Sequence, residues 1–170
     1  MRIIAGTWRS RRIDPPRDPR ARPTTDFVRE AWMAILADRL HGARVLDLFA
    51  GAGAMGLEAL SRGALACDFV EMFQPNLDAL AANIAKLGAS GCRLHRADAL
   101  RFAAKAEPLA YDVAFADPPY TTNHASRIAD LFRQRPFARI LGVEHNERED
   151  VGPGDHRRYG TTVVTFLEAP

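Results

Sequence analysis

With 170 residues, the chain is long enough for one domain with a continuous core and too short to form two comfortably. Its hydrophobic (47%) and charged (26%) fractions match soluble globular proteins, and no apolar run approaches the roughly 18 residues of a membrane helix, so we expect a cytoplasmic protein that binds no membrane. The net charge of +2 is uneven, because residues 1–30 contain eight arginines against four acidic residues; an anionic partner is favoured over a merely solvated surface.

The first 40 residues predict an appendage to the domain. Residues 2–13 favour a short hairpin around Gly6, and a loop rich in proline and arginine follows from Asp14 to Pro23. A helix is expected to begin at Thr24 or Thr25, since a hydroxyl there can cap free backbone N–H groups. We therefore expect one domain, residues 1–170, composed of an appendage (1–40) and a core (41–170).

From residue 44 onward, short apolar runs alternate with helical patterns, which is typical of a parallel sheet flanked by helices. The predicted elements are strand 45–49, a helix ending at residue 62, strand 67–71, helix 75–87, strand 93–95, strand 111–116, helix 124–134, and strands 139–144, 156–159 and 161–167. The last two strands meet at Gly160 and predict an antiparallel C-terminal hairpin. The fold class is therefore α/β, with a mostly parallel twisted sheet and helices on both faces.

A glycine-rich loop follows the first predicted strand. Gly51, Gly53 and Gly56 open the next helix, and Glu71 ends the next strand twenty residues after Gly51. In this context the glycines let the backbone approach a ligand and the acid binds a ribose, so the loop predicts a cofactor that contains adenosine. The alternative is that these glycines only permit a tight turn.

Acidic residues at the strand ends indicate which cofactor binds. Asp47 lies inside the first strand, where a carboxylate is costly unless it meets a polar partner. The pyrophosphate of a dinucleotide would be repelled there, whereas the ammonium and sulfonium groups of S-adenosylmethionine suit an acid. Asp98, followed by Ala99, ends the third strand and can hydrogen-bond an adenine amino group. The arrangement resembles the Rossmann-like class I S-adenosylmethionine methyltransferases, whose product is S-adenosylhomocysteine, and disfavours a nicotinamide-dependent oxidoreductase.

The tetrapeptide Asp117-Pro118-Pro119-Tyr120 ends the fourth predicted strand. An exocyclic amine of a nucleobase is a poor nucleophile, because its lone pair is delocalised into the ring. Asp117 and the Pro118 carbonyl can accept its hydrogens and orient it, and the ring of Tyr120 can stack on an extruded base. The motif resembles the Asp/Asn/Ser-Pro-Pro-aromatic motif of amino-group methyltransferases. The alternative, a proline turn that merely ends a strand, is weakened by the glycine loop upstream.

Four segments in order resemble the bacterial RsmD-type 16S ribosomal RNA guanine-N2 methyltransferases. They are residues 2–9 (RIIAGTWR), 22–30 (RPTTDFVRE), 47–59 (DLFAGAGAMGLEA) and 117–120 (DPPY). The resemblance implies transfer of a methyl group to the N2 amine of one guanine in 16S ribosomal RNA. It also implies that the acids and the glycine loop hold the cofactor, that Asp117 and Tyr120 hold the guanine, and that four residues face RNA phosphates or shape the pocket: Arg9, Arg22, Thr24 and Arg29.

The sequence leaves the substrate class partly open. An amino-group methyltransferase acting on adenine N6 of DNA or RNA and a nucleotide-binding module without chemistry are the alternatives. Cys67 and Cys92 lie far apart and the five histidines lack ligand-type spacing, so we expect no metal. The expected partner is 16S ribosomal RNA or the small ribosomal subunit, including an assembly intermediate, and the expected oligomeric state is a monomer.

Overall fold

The computed structural model describes residues 1–19 and 24–170. Within them the chain forms six helices and seven strands. In chain order these are α1 (Asp26–Ile35), α2 (Ala37–Leu40), β1 (Arg44–Leu48), α3 (Ala54–Ser61), β2 (Ala66–Glu71), α4 (Gln74–Leu87), β3 (Cys92–Arg96), α5 (Ala99–Lys105), β4 (Tyr111–Ala116), α6 (His124–Gln134), β5 (Ala138–Asn146), β6 (Asp155–Tyr159) and β7 (Thr162–Glu168).

The seven strands form one sheet in the order β3-β2-β1-β4-β5-β7-β6. The first five strands pair in parallel, and β7 runs antiparallel between β5 and β6. The predicted α/β fold, mostly parallel with an antiparallel C-terminal hairpin, is confirmed. The strand order reverses direction between β1 and β4, and the carboxyl ends of strands at such a point are where open α/β sheets bind ligands.

Hydrophobic residues on both faces of the sheet are buried by helices. On one face, Val45 and Phe115 pack with residues of α1, α3 and α4. On the other, Leu46 and Ala114 pack with residues of α5 and α6. Adjacent strand residues point to opposite faces, so a run such as Val45-Leu46 is apolar throughout because both sides are covered.

Three local predictions need correction. Helix α5 was not predicted: it has only seven residues, and a run this short leaves little periodic signal. Strand β1 ends at Leu48 rather than Phe49, because Phe49 has a φ of 59° and turns out of the ladder. The predicted hairpin over 2–13 forms backbone hydrogen bonds between its arms, such as Ile3 with Arg11, but its regular strand pairing is limited to the bridge between Arg2 and Arg12.

Helix α1 begins as the sequence predicts and fixes the appendage against the sheet. The hydroxyl of Thr25 accepts the N–H of Val28 and caps the helix. Trp32 of α1 is fully buried over Gly142 of β5, where a Cβ would overlap the indole ring. This close approach brings the start of α1 to the carboxyl end of β5.

The appendage is also held by Glu58 of α3, whose carboxylate is fully buried. It accepts the N–H groups of Ile4 (2.8 Å) and Ala5 (3.0 Å) and the Nε of Arg62 (2.9 Å). The Nε of Arg29 lies 3.9 Å from Oε2 of Glu58. One buried carboxylate of the core therefore holds two backbone N–H groups of the N-terminal segment.

Arg29 was expected to face RNA phosphates or to shape the pocket, and contact with phosphates is ruled out because its side chain is completely buried. Its Nη2 donates to the Arg2 carbonyl (2.6 Å) and to Asp26 (2.9 Å). Burial lowers the pKa of Arg29, against the opposing charges of Asp26 and Glu58. Arg29 therefore acts on the site only through the structure that it supports.

Among the described residues, no helix is both long and apolar enough to cross a membrane.

Candidate active site

The carboxyl ends of β1 and β4 bring together the two motifs that the sequence singles out. These strands pair directly, with Leu48 opposite Ala116, so the glycine loop and Asp117 leave the sheet side by side. Phe49 precedes the glycine loop and His124 follows the tetrapeptide. Their rings stack with centroids 5.6 Å apart. The two motifs therefore form one site.

The glycine loop is shaped by backbone conformations that favour glycine. Gly53 has a φ of 86° immediately before α3, and a Cβ at this position would overlap Leu80. The N–H of Gly51 donates to the Glu71 carboxylate (2.8 Å), and that of Gly56 donates to Asp47 (2.9 Å). Both predicted acids, Glu71 and Asp47, thus accept hydrogen bonds from backbone N–H groups of the glycine segment.

Asp47 is a buried carboxyl, with 2% of its surface exposed. Burial and the neighbouring charge of Glu71 raise the pKa of Asp47 to about 8, although the hydrogen bond from Gly56 opposes the shift. A carboxylate held in this way is stabilised by a cationic ligand. The residues present therefore fit the ammonium end of S-adenosylmethionine.

Two buried asparagines of α4 hold the appendage loop over the glycine loop, and sequence reasoning missed them. Asn83 accepts the N–H of Asp14 (2.7 Å) and donates to the Ala52 carbonyl (3.0 Å). Asn76 accepts the N–H of Arg17 (2.9 Å) and donates to Glu71 (3.4 Å). Both asparagines lie in the alternating polar and apolar pattern of α4, so the sequence around them does not indicate these contacts.

Asp117 is partly buried, and its Oδ2 accepts the hydroxyl of Thr24 at 2.6 Å. The same hydroxyl lies 3.2 Å from Oε2 of Glu144. Burial and the charge of Glu144 raise the pKa of Asp117 well above its usual value, against the hydrogen bond from Thr24, and Asp47 adds a smaller repulsion. Thr24 was expected to face RNA phosphates or shape the pocket. In the structure, its hydroxyl is hydrogen-bonded to Asp117, the acid of the tetrapeptide.

Glu144 of β5 is a site residue that the sequence did not reveal. It is 5% exposed, and its Oε1 accepts the hydroxyl of Tyr120 at 2.8 Å. The Tyr120 hydroxyl also lies 3.0 Å from Thr162 Oγ1. Burial raises the pKa of Tyr120, so its hydroxyl stays protonated at neutral pH. Tyr120 is therefore fixed through its hydroxyl, while Pro118 beside it is buried.

The other predicted site residues lie at varied distances from this centre. Asp98 follows β3 at the same sheet edge and caps α5 through the N–H of Arg101, and Ala99 is the buried first residue of that helix. Arg9 is exposed. Arg22 lies outside the described residues. No group of three or more potential metal ligands occurs within the described parts of the chain.

The sheet order, the antiparallel β7 and the two motifs at the switch point define a Rossmann-like class I methyltransferase fold. The chain belongs to the family described as "Conserved hypothetical protein 95", whose model matches residues 1–166. This membership confirms the resemblance to the RsmD type.

Similar proteins carry methyltransferase names. "Ribosomal RNA small subunit methyltransferase D" of Escherichia coli is 43% identical over 71% of this chain, and that alignment spans 60% of the relative's length. The protein of the same name from Haemophilus influenzae is 34% identical over 90% of this chain and 81% of its own length. The solved structure "Putative methyltransferase yhhF" from Escherichia coli has a TM-score of 0.84 at 31% identity, covering 100% of this chain and 99% of that one.

Proposed function

We propose that this protein transfers the methyl group of S-adenosylmethionine to the exocyclic N2 amine of a guanine in 16S ribosomal RNA. The observation that carries the proposal is the Asp117-Pro118-Pro119-Tyr120 motif at the end of β4, directly beside the glycine loop after β1. The names of the aligned relatives support the ribosomal substrate. The substrate is the naked RNA or the small subunit, including an assembly intermediate.

The cofactor end of the proposed site consists of Asp47, the loop from Gly51 to Gly53, Glu71, and Asp98 with Ala99. When bound, S-adenosylmethionine supplies a methyl group on a sulfonium and leaves as S-adenosylhomocysteine. The Asp47 carboxylate would hold the cationic end, and Glu71, already oriented by Gly51, would hold the ribose hydroxyls. Asp98 would bind the adenine. No metal is needed in this scheme.

In the proposed mechanism, Asp117 and the Pro118 carbonyl accept the two hydrogens of the guanine amine. These hydrogen bonds concentrate the lone pair on nitrogen and aim it at the methyl carbon. As the N–C bond forms and the C–S bond breaks, the amine loses one proton, and Asp117 with its raised pKa is suited to take it. The ring of Tyr120, fixed through its hydroxyl, would stack on the base.

On the RNA side, Arg9, which is exposed, and Arg22 are proposed to contact phosphates. Such contacts give affinity that falls steeply with salt but carry no sequence information. Specificity for one guanine must then come from the base pocket and from the shape of the RNA.

The test is transfer of labelled methyl from S-adenosylmethionine to 16S RNA, or to small subunits, of a strain that lacks the gene. Digestion to nucleosides should place the label in N2-methylguanosine. Label in N6-methyladenosine would contradict the substrate assignment, and tight NAD binding without S-adenosylhomocysteine binding would contradict the class.

Cofactor affinity should rise with pH, because Asp47 must be ionised to hold a cation. With a pKa of about 8 in the free protein, the ionised fraction of Asp47 increases about 20-fold between about pH 6.0 and 7.5, a range in which the cofactor's ammonium stays charged. Calorimetric titration with S-adenosylhomocysteine should therefore show a dissociation constant that falls by about this factor. The bound cation favours the carboxylate, so binding should also release a proton.

Asp47→Asn should bind S-adenosylhomocysteine more weakly and without this pH dependence. Asp112→Asn is the matched control, since Asp112 lies at the opposite end of β4 and pairs with Arg139. It should keep the wild-type profile. Equal slopes in Asp47→Asn and the wild type would show that Asp47 is not the titrating group.

A further inference from the structure

We propose that RNA and S-adenosylmethionine strengthen each other's binding, and that the buried Asn76 of α4 couples the two. This inference rests on the proposed function and adds a positioning residue to it. The coupling acts through residues 14–18 of the appendage, called here the 14–18 segment, whose Pro16 lies against the glycine loop.

The 14–18 segment contacts the glycine loop at two points. Asn83 accepts the N–H of Asp14 (2.7 Å) and donates to the carbonyl of Ala52 (3.0 Å), in the middle of the glycine loop. The Cγ of Pro16 lies 3.4 Å from the position that a Cβ on Gly51 would take. The segment therefore borders the loop that the cofactor must approach.

Asn76 supplies the third contact and reaches a predicted cofactor residue. Its Oδ1 accepts the N–H groups of Arg17 (2.9 Å) and Asp18 (3.2 Å), and its Nδ2 donates to Oε2 of Glu71 (3.4 Å). The same Glu71 oxygen accepts the N–H of Gly51 at 2.8 Å. One amide, 4% exposed, thus joins the backbone of the segment to Glu71 and, through it, to the glycine loop.

The way in which the 14–18 segment is held makes it easy to open. It lies outside every helix and strand, and its backbone N–H groups donate to asparagine side chains of α4. Two of its five residues are prolines, which have no N–H to donate. Such a segment opens at lower cost than the strands of the core. A ligand that fixes it relieves the next ligand of the ordering cost, which is positive cooperativity.

The same stretch of chain reaches the RNA side of the site. Arg17 belongs to the 14–18 segment and is exposed, so it can contact an RNA phosphate. Further along, Thr24 donates its hydroxyl to Asp117 at 2.6 Å. RNA that binds this stretch restrains the 14–18 segment, and the restraint reaches Glu71 through Asn76. By thermodynamic linkage, the cofactor must then strengthen RNA binding by the same factor.

The test measures cofactor affinity with and without the RNA substrate. Equilibrium dialysis with labelled S-adenosylhomocysteine, which cannot donate a methyl group, gives the dissociation constant of the free protein. A second set contains saturating 16S RNA, or small subunits, of a strain that lacks the gene, whichever the wild type methylates. For the wild type, the substrate should lower this constant about tenfold. In Asn76→Ala the change should shrink to less than about twofold.

Two further variants make the result specific to the Asn76 amide. Gln74→Ala is the matched control, because Gln74 begins the same helix and its contact with Asp78 is exposed; it should keep the tenfold change of the wild type. Asn76→Asp keeps acceptor oxygens for the segment but cannot donate to Glu71. It should retain RNA affinity and lose the coupling, and it serves as the test if Asn76→Ala does not fold.

Equal S-adenosylhomocysteine affinity with and without substrate, in a wild type that methylates guanine, would overturn the inference. So would a variant that binds S-adenosylhomocysteine more weakly by the same factor in both sets, because Asn76 would then only support Glu71. If the wild type transfers no methyl group to a guanine of the RNA or subunit, the proposed function fails instead, and the inference with it.

Discussion

Asp117→Ala is expected to lower methyl transfer to 16S RNA by about 10³-fold at saturating cofactor, within the range that positioned acid–base and charge-stabilising groups contribute. The substitution removes the acceptor that orients the amine and takes its proton. It leaves the glycine loop intact, so S-adenosylhomocysteine should bind with wild-type affinity. Single-turnover kinetics and calorimetry on the same preparation measure the two quantities. Wild-type turnover with normal cofactor binding would remove Asp117 from the mechanism.

Asp117→Asn separates the charge of this residue from its shape. The amide oxygen can still accept the Thr24 hydroxyl, and the repulsion from Glu144 is removed. Because the pKa of Asp117 is higher in the folded protein than in the unfolded chain, its ionisation costs stability as pH rises through that interval. The variant should therefore be at least as stable as the wild type at about pH 8, although less active. A lower Tm for Asp117→Asn at this pH would contradict the raised pKa.

The fold was predictable because its signals are local. Most strands of the parallel sheet are short apolar runs, the longer helices that follow them carry their own periodicity, and Gly63 and Gly88 end two of these helices. The motifs after β1 and β4 were predictable for the same reason, since each is contiguous and follows a strand. That these two strand ends lie at the same edge of the sheet follows from the parallel direction of the strands.

What escaped prediction depends on contacts between distant residues. Glu144 joins Thr24 across 120 positions, and nothing around it in the sequence distinguishes an acid of the pocket from an acid of the surface. Arg29 was expected from the family resemblance to face RNA phosphates or shape the pocket, yet its side chain is buried beside Glu58 of another helix. Whether a charged side chain is buried is decided by the fold around it, which its neighbours in sequence do not encode.

The buried pair of Arg29 and Glu58 leads to the largest change in stability that we expect. Glu58→Ala should destabilise the protein by about 3–5 kcal/mol, because it removes the acceptor of two backbone N–H groups and leaves the buried cation of Arg29 with less compensation. For a chain of this length the loss corresponds to a fall in Tm of about 10–15 °C. Urea and thermal unfolding measure it.

Glu168→Ala provides the comparison, because Glu168 forms an ion pair with Arg39 at 2.8 Å while 61% of its side chain is exposed. An exposed pair of this kind contributes about 0–1 kcal/mol, so the control should unfold close to the wild type. A difference below about 1 kcal/mol between the two variants would mean that Glu58 does not hold the appendage to the core. If the predicted difference is found, Glu58 is a buried anchor for both the segment that carries Arg9 and the segment that carries Thr24. Loss of this anchor should then weaken RNA binding as well as folding.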